Sequence, residues 1–131
     1  MKRPAPPRTL VPRPDRVRQL QGLAFGWLDA RLLQERWLPT VPAPALAIYT
    51  FLCLAADRQG VSFYRRDRIG QALGLDDQEV ARGLARLREL DLVAYVPFRP
   101  HAVDGFHQVL SVPRGGPPPS PLITALGFAT R

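Results

Sequence analysis

The segment IGQALGLDDQEVARGLARLRELDLV, residues 69–93, decides the fold. A first helix ends where Gly74 breaks the pattern, and Asp76 begins a second helix. Asp76 and Glu79 have capping-box spacing, in which each side chain satisfies an otherwise unpaired backbone N–H. Apolar residues then recur at helical spacing and predict one buried stripe: Val80, Leu84, Leu87 and Leu90.

Two helices joined by a glycine-containing turn form a helix-turn-helix, whose second helix can enter the DNA major groove. The first helix is predicted over Arg65–Leu73, with Gly70 small where the helices approach each other. Leu75 and Val80 are expected to fill the angle between the helices. The predicted inward side chains of the first helix are Ile69, Ala72 and Leu73.

Beyond Leu90 the apolar period changes from that of a helix to that of a strand. Leu92–Val96 is a strand candidate stopped by Pro97, and Phe106–Val112 is another. The sequence FRPHAVDG between them contains the loop residues Pro100 and Gly105. These segments predict a β-hairpin with a long tip, which would form a wing beside the two helices.

A buried helix and a short strand precede this segment. Apolar side chains occur on every face from Leu46 to Ala56, which predicts a central core helix ended by Gly60. Cys53 within it is interpreted as a small buried apolar residue. Val61–Tyr64 suits a brief strand. The predicted fold class is therefore mainly α with a small β-hairpin (α+β).

The region Asp15–Leu38 has two interpretations. Its apolar residues fit helical spacing, with Asp15 able to cap a helix. Gly22 and Gly26 instead permit a short extended piece before a helix over Ala30–Leu38. Either way, we expect one domain over residues 15–113 with an N-terminal lead helix.

Prolines and charges divide the 131 residues in the same way. Proline clusters at 4–14 and 113–121 predict a disordered basic tail over residues 1–14 and a Pro/Gly-rich tail over 114–131. Of the net charge of +7, residues 1–18 carry +5, with six basic residues against one acid. Residues 39–113 balance eight arginines against eight acids. The charge therefore supports nucleic-acid binding through the tails alone.

Composition and missing motifs exclude several functions. One cysteine rules out an internal disulfide framework, which makes a reducing cytoplasmic setting the default. The apolar run Ala43–Ala56 is too short for a membrane span of about 20 residues. No glycine-rich phosphate loop, Gly-x-Ser-x-Gly or His-Glu-x-x-His pattern occurs. His101 and His107 have no spaced third ligand. We therefore expect no enzyme activity, no cofactor, no metal and no membrane partner.

The helix-turn-helix pattern and the following LDLVAY resemble the winged helix-turn-helix superfamily over residues 44–112, as in MarR-like and GntR-like bacterial regulators. Together with FGWLDARLLQERWL and ALAIYTFLCLAADRQGVSFY, the chain is also similar to the N-terminal winged-helix domains of plasmid and phage replication initiators and DnaD-like proteins. The first resemblance implies a transcriptional regulator that binds double-stranded DNA. The second implies a replication or mobile-element accessory protein.

The resemblance to the winged helix-turn-helix superfamily implies a recognition helix over about Asp77–Leu90. Gln78, Arg82 and Arg86, four residues apart, would form one outward row opposite the buried stripe. Gln can pair with adenine and Arg with guanine in the major groove. Candidate contacts to phosphates are Arg65, Arg66 and Arg68, and candidates at the wing tip are Arg99 and His101.

Several residues also have a structural interpretation. Arg82, Arg86 and Arg88 could form a solvated helix face paired with Glu79 and Glu89. Because acids at the start of the recognition helix oppose phosphates, a protein-interaction module remains an alternative. A homodimer through the apolar side chains of residues 15–38 is also plausible, because one short helix reads few bases. The aromatic residues expected as core or dimer contacts are Trp27, Trp37 and Phe51.

Overall fold

A computed structural model describes residues 9–22 and 24–118, and the expectations for residues 1–8 and 119–131 lie outside the described residues. The described chain is an α+β fold with a three-stranded antiparallel sheet. The helices and strands are α1 (Arg31–Gln34), α2 (Ala43–Ala55), β1 (Val61–Ser62), α3 (Arg66–Leu73), α4 (Asp77–Glu89), β2 (Val93–Pro97) and β3 (Gly105–Val109).

The sheet has the strand order β1-β3-β2. Strands β2 and β3 form the expected hairpin, with Tyr95 opposite His107, and β1 places Ser62 on the other side of His107. Strand β3 begins at Gly105 and ends at Val109, earlier than predicted. Strand β2 includes Pro97 at its last position, where the missing N–H interrupts no further pairing.

The core lies where α2 packs across α3, α4 and the sheet. All four residues of the predicted stripe on α4 are buried, which confirms that prediction. Trp37 is also a core residue, being 1% exposed. Within the described chain, no helix is long and apolar enough to cross a membrane.

The connection between α3 and α4 follows the sequence prediction. Gly74 adopts φ of 69°, the left-handed conformation that ends α3. The N–H of Glu79 donates to Asp76 Oδ1 at 2.8 Å, and the N–H of Asp76 donates to Glu79 Oε1 at 3.1 Å. The capping box is therefore confirmed, and it fixes where α4 begins.

One predicted inward position of α3 is wrong. Ala72 is exposed, whereas Gly70 is buried. A Cβ on Gly70 would lie 2.7 Å from the carbonyl oxygen of Leu75. The side of α3 that faces the turn is therefore the side that carries Gly70.

Helix α2 ends at Ala55, before the predicted end at Gly60. The carboxylate of Asp57 accepts hydrogen bonds from the N–H groups of Gln59 and Val61, at 2.8 and 2.9 Å. Because this side chain satisfies backbone donors outside a helix, it stabilises a tight loop. Gly60, with φ of 84°, lies within that loop.

The lead helix is much shorter than predicted. The helix expected over Ala30–Leu38 is only α1, whose four residues are followed by Arg36 with φ of 64°. Pro39 lacks an N–H, so it cannot continue the helical hydrogen bonds. Asp15 caps no α-helix and lies in a 3-10 turn, Pro14–Arg16. The described part of residues 15–28 contains no α-helix and no strand, and it turns at residues 21–22, where Gly22 has φ of 72°.

Candidate nucleic-acid interface

The outward face of α4 carries two of the three predicted row residues. Gln78 and Arg82 are exposed, opposite the buried stripe. Arg86 is half-buried, and its Nη1 lies 3.2 Å from Glu89 Oε2. Because a helix turns about 100° per residue, position i+8 is rotated about 80° from position i. That rotation carries Arg86 towards α2 and separates it from Gln78.

Arg82 and Arg86 border a shallow crevice over the start of α2. The crevice has a volume of about 280 Å³, and Pro42, Pro44 and Glu79 also line it. The face of α4 that could contact DNA therefore adjoins the proline-containing N-terminal end of α2.

The three arginines at the start of α3 have different environments. Arg65 is exposed and pairs with Asp67 at 3.2 Å, and Arg68 is also exposed. Arg66 is half-buried, and its Nε is buried with no hydrogen-bond partner among the described residues. Arg65 and Arg68 are thus the more accessible candidates for phosphate contact.

The hairpin tip is apolar around its two predicted contact residues. Arg99 and His101 are both exposed, and His101 has φ of 68°. Phe98 packs edge-to-face on Phe106, with ring centroids 5.0 Å apart. The exposed apolar residues of the tip are Val96, Phe98, Val103 and Phe106.

Contacts of Tyr95, Arg88 and Asp104, which the sequence analysis did not predict, order the hairpin and attach it to the helices. The hydroxyl of Tyr95 lies within hydrogen-bonding distance of the carbonyl oxygens of Ala102 and Val103, at 3.1 and 2.8 Å, and can donate its one hydrogen to either. The guanidinium of Arg88 lies over the Tyr95 ring, 5.2 Å from its centroid. Asp104 Oδ1 accepts from the backbone N–H of Arg66 at 2.9 Å. These contacts hold the hairpin in a defined position beside α3 and α4.

His107 is a buried strand residue, only 2% exposed. Its ring lies 5.1 Å from that of Tyr95. Burial, together with the positive charges of Arg88 and Arg66, lowers the pKa of His107 to about 4. Side chains alternate between the two faces of β3, so positions 105 and 107 lie on the same, buried face. This alternation is the sequence signal that could have predicted an inward histidine.

Charges around the candidate interface of α3, α4 and the hairpin are mixed. One crevice between the starts of α3 and α4 is lined by both acids and arginines, including Arg65, Asp67 and Asp77. The positive excess lies towards the N-terminus, where the described arginines Arg13, Arg16 and Arg18 are exposed. Across residues 9–22 and 24–118, no group of three His, Cys, Asp or Glu side chains could hold a metal ion.

A larger groove of about 540 Å³ lies under Trp27, beside the end of α2. Asp29 and Arg31 at its edge pair with each other at 2.8 Å, which lowers the pKa of the Asp29 carboxyl. Burial raises the pKa of the Cys53 thiol, which opposes formation of a reactive thiolate. Cys53 is thus a buried apolar residue, as interpreted from the sequence.

Comparison with known proteins gives no relative from which a function could be transferred. No protein-family model matches the chain, and neither a curated protein nor a solved structure matches it. Function is therefore inferred from the residues of this chain.

Proposed function

We propose that residues 15–113 form a winged helix-turn-helix domain and that the protein is a non-catalytic, cytoplasmic DNA-binding protein, a transcriptional regulator. In this assignment α3 and α4 are the helix-turn-helix pair, and the β2–β3 hairpin is the wing. The observation that carries the proposal is the outward face of α4. It presents exposed Gln78 and Arg82 on a helix whose opposite side is anchored in the core.

Helix α4 has dimensions that suit the major groove. Its 13 residues span about 20 Å, and the major groove of B-DNA is about 12 Å wide and admits an α-helix. Gln78 and Arg82 both carry groups that form two-point hydrogen bonds with base edges. These two residues are the candidates for sequence reading.

Contacts to phosphates come from residues around α4. Arg65 and Arg68 lie at the start of the preceding helix, and Arg99 and His101 lie at the tip of the tethered hairpin. Such contacts fix the position of a protein on the duplex without reading its sequence. Because residues 39–113 have no net charge, we assign most of the sequence-independent attraction to the basic tail.

One observation favours a second candidate, a protein-interaction module. The hairpin tip exposes Phe98 and Phe106 beside Val96 and Val103, whereas phosphate contact calls for basic side chains. Asp77, at the start of α4, would also oppose nearby phosphates. Under this candidate the hairpin would bind a partner protein, and affinity for DNA would be absent.

Fluorescence anisotropy with a pool of random duplex DNA tests the proposal. We expect the full chain to bind, with an affinity that falls steeply between about 50 and 200 mM salt. Deleting residues 1–14 should weaken binding to every sequence and reduce the salt slope. A shuffled tail of unchanged composition is the matched control and should restore binding. Absence of binding at the lowest salt concentration would refute DNA binding and favour the second candidate.

A further inference from the structure

A second exposed surface lies at the C-terminal end of α2, and we propose that it joins two copies of this chain into a dimer. Large apolar side chains from three parts of the chain meet there. They come from the segment before α1, from α2 and from the residues after β1. We call this surface the aromatic face: Phe25, Trp27, Leu54, Phe63 and Tyr64.

The aromatic face is continuous. A Cβ on Gly26 would lie 2.8 Å from the carbonyl oxygen of Cys53 and 2.9 Å from Leu54 Cα, so residues 25–27 run directly over the end of α2. Phe51, one turn before Leu54, packs edge-to-face on Tyr64 with centroids 5.1 Å apart. Tyr64 in turn stacks on Phe63 at 6.3 Å.

The exposed area suits a specific interface. Trp27 is 75% exposed and Leu54 is 65% exposed. With aromatic side chains of about 150–250 Å² each, the exposed parts of the four aromatic residues amount to about 500 Å². This value is near the upper end for the largest apolar patch on a monomer. Two such faces in contact would bury about 1,000 Å², the lower limit for a specific interface.

The composition of the face favours a second copy as its occupant. In a two-fold dimer the same surface of each subunit meets its own copy, so a face of one charge sign would repel itself. No charged residue belongs to the aromatic face. Charged side chains border it: Arg65 on one side and, in the groove beside Trp27, Asp29, Arg31, Asp57 and Arg58. Aromatic residues are also enriched at the centres of protein interfaces.

The position of the face leaves α4 accessible. Ile48 of α2 lies against Gly83 of α4, and Leu54 follows Ile48 by six residues. Six steps of about 100° direct Leu54 about 120° away from that contact. A dimer through the aromatic face would therefore present two outward α4 helices. If the proposed DNA binding holds, these two helices would read two half-sites.

Analytical ultracentrifugation of the full chain without DNA, between about 1 and 100 μM protein, tests the dimer. We expect a monomer–dimer equilibrium in the wild type. Leu54→Asp and Trp27→Asp should each weaken dimerisation by at least about tenfold. Val103→Asp, which places the same charge at an exposed hairpin valine, is the matched control and should leave dimerisation unchanged. Circular dichroism checks that the variants fold. If Leu54→Asp does not fold, the result for Trp27→Asp decides whether the aromatic face forms the dimer.

Two results would overturn the proposal. The first is a wild type that stays monomeric over the whole concentration range. The second is an unchanged dimer in both variants of the aromatic face. If the wild type stays monomeric, a chain ending at Pro118 that does dimerise would assign residues 119–131 as the segment that covers the face. Since DNA is absent from these measurements, failure of the dimer and failure of DNA binding are distinguishable.

Discussion

Gly83 of α4 lies directly against Ile48 of α2, and this contact allows the two helices to cross closely. A Cβ at position 83 would overlap Ile48 Cδ1 and would lie 3.4 Å from Ala45 Cα. Gly83 and Ile48 are both buried. Glycine inside a helix costs about 1 kcal/mol relative to alanine. The close crossing of α2 and α4 offsets that cost.

Gly83→Ala should therefore destabilise the protein, although alanine is the better helix former. Overpacking a core costs about 1–3 kcal/mol, whereas the gain in helix propensity is about 1 kcal/mol. We expect a net loss of about 1 kcal/mol in the free energy of unfolding. Urea denaturation followed by circular dichroism measures it.

Ile48→Val provides the control, because it removes the Cδ1 atom that the new methyl group would overlap. Alone it should cost about 0.5–1.5 kcal/mol. The double variant should be more stable than the sum of the two single losses predicts. Strictly additive losses would mean that the contact with Ile48 is not the reason why position 83 carries glycine.

Asp76→Ala should lower the free energy of unfolding by about 1 kcal/mol, because it removes the acceptor that caps α4. Asp77→Ala removes the same charge from the same helix end, but no capping hydrogen bond of Asp77 occurs among the described residues. The loss for Asp77→Ala should be clearly smaller. Equal losses in the two variants would mean that charge, and not the cap, stabilises this end of α4.

Stability should fall as the pH drops from about 6.5 towards 4, because buried His107 resists protonation. Its ordinary pKa is 6.5, whereas in the folded protein it is about 4. Below pH 6.5 the unfolded state binds a proton that the folded state does not, so unfolding becomes more favourable by up to about 1.4 kcal/mol per pH unit. Urea denaturation at a series of pH values measures this slope.

His107→Gln should remove this slope, whereas His101→Gln, at the exposed hairpin tip, should retain it. Arg66, Arg88 and Asp104 also act on His107, the two arginines lowering its pKa and Asp104 raising it. Asp29 acts in a lower range, because its lowered pKa contributes stability that is lost below about 3.8. A slope that persists between pH 6.5 and 4 in His107→Gln would exclude His107 as its source.

Local patterns made the centre of the fold predictable. The capping box, the glycine turn and the stripe Val80–Leu90 depend on short-range spacing, and all three have the predicted geometry. The lead segment was harder to predict, because Gly26 packs directly on Cys53 and Leu54 at the end of α2. That long-range contact leaves no periodic signal in the sequence.

The candidate interface was only partly predictable for the same reason. Spacing indicated which side of α4 faces outward, so Gln78 and Arg82 are exposed as expected. It could not show that Arg86 pairs with Glu89 or that Arg88 lies over Tyr95, because these depend on the rotation of α4 against its neighbours. The inward position of His107 likewise depends on the hairpin register.

Discrimination between a selected DNA sequence and random duplex tests the central claim most directly. A site is first selected from random duplexes with the full chain, and dissociation constants for that site and for random DNA are then compared between variants. We predict that Arg82→Ala loses about 1–3 kcal/mol of discrimination while keeping its affinity for random DNA. Arg86→Ala should lose less, because Arg86 is half-buried and paired. Unchanged discrimination in Arg82→Ala would contradict the proposal that α4 reads DNA.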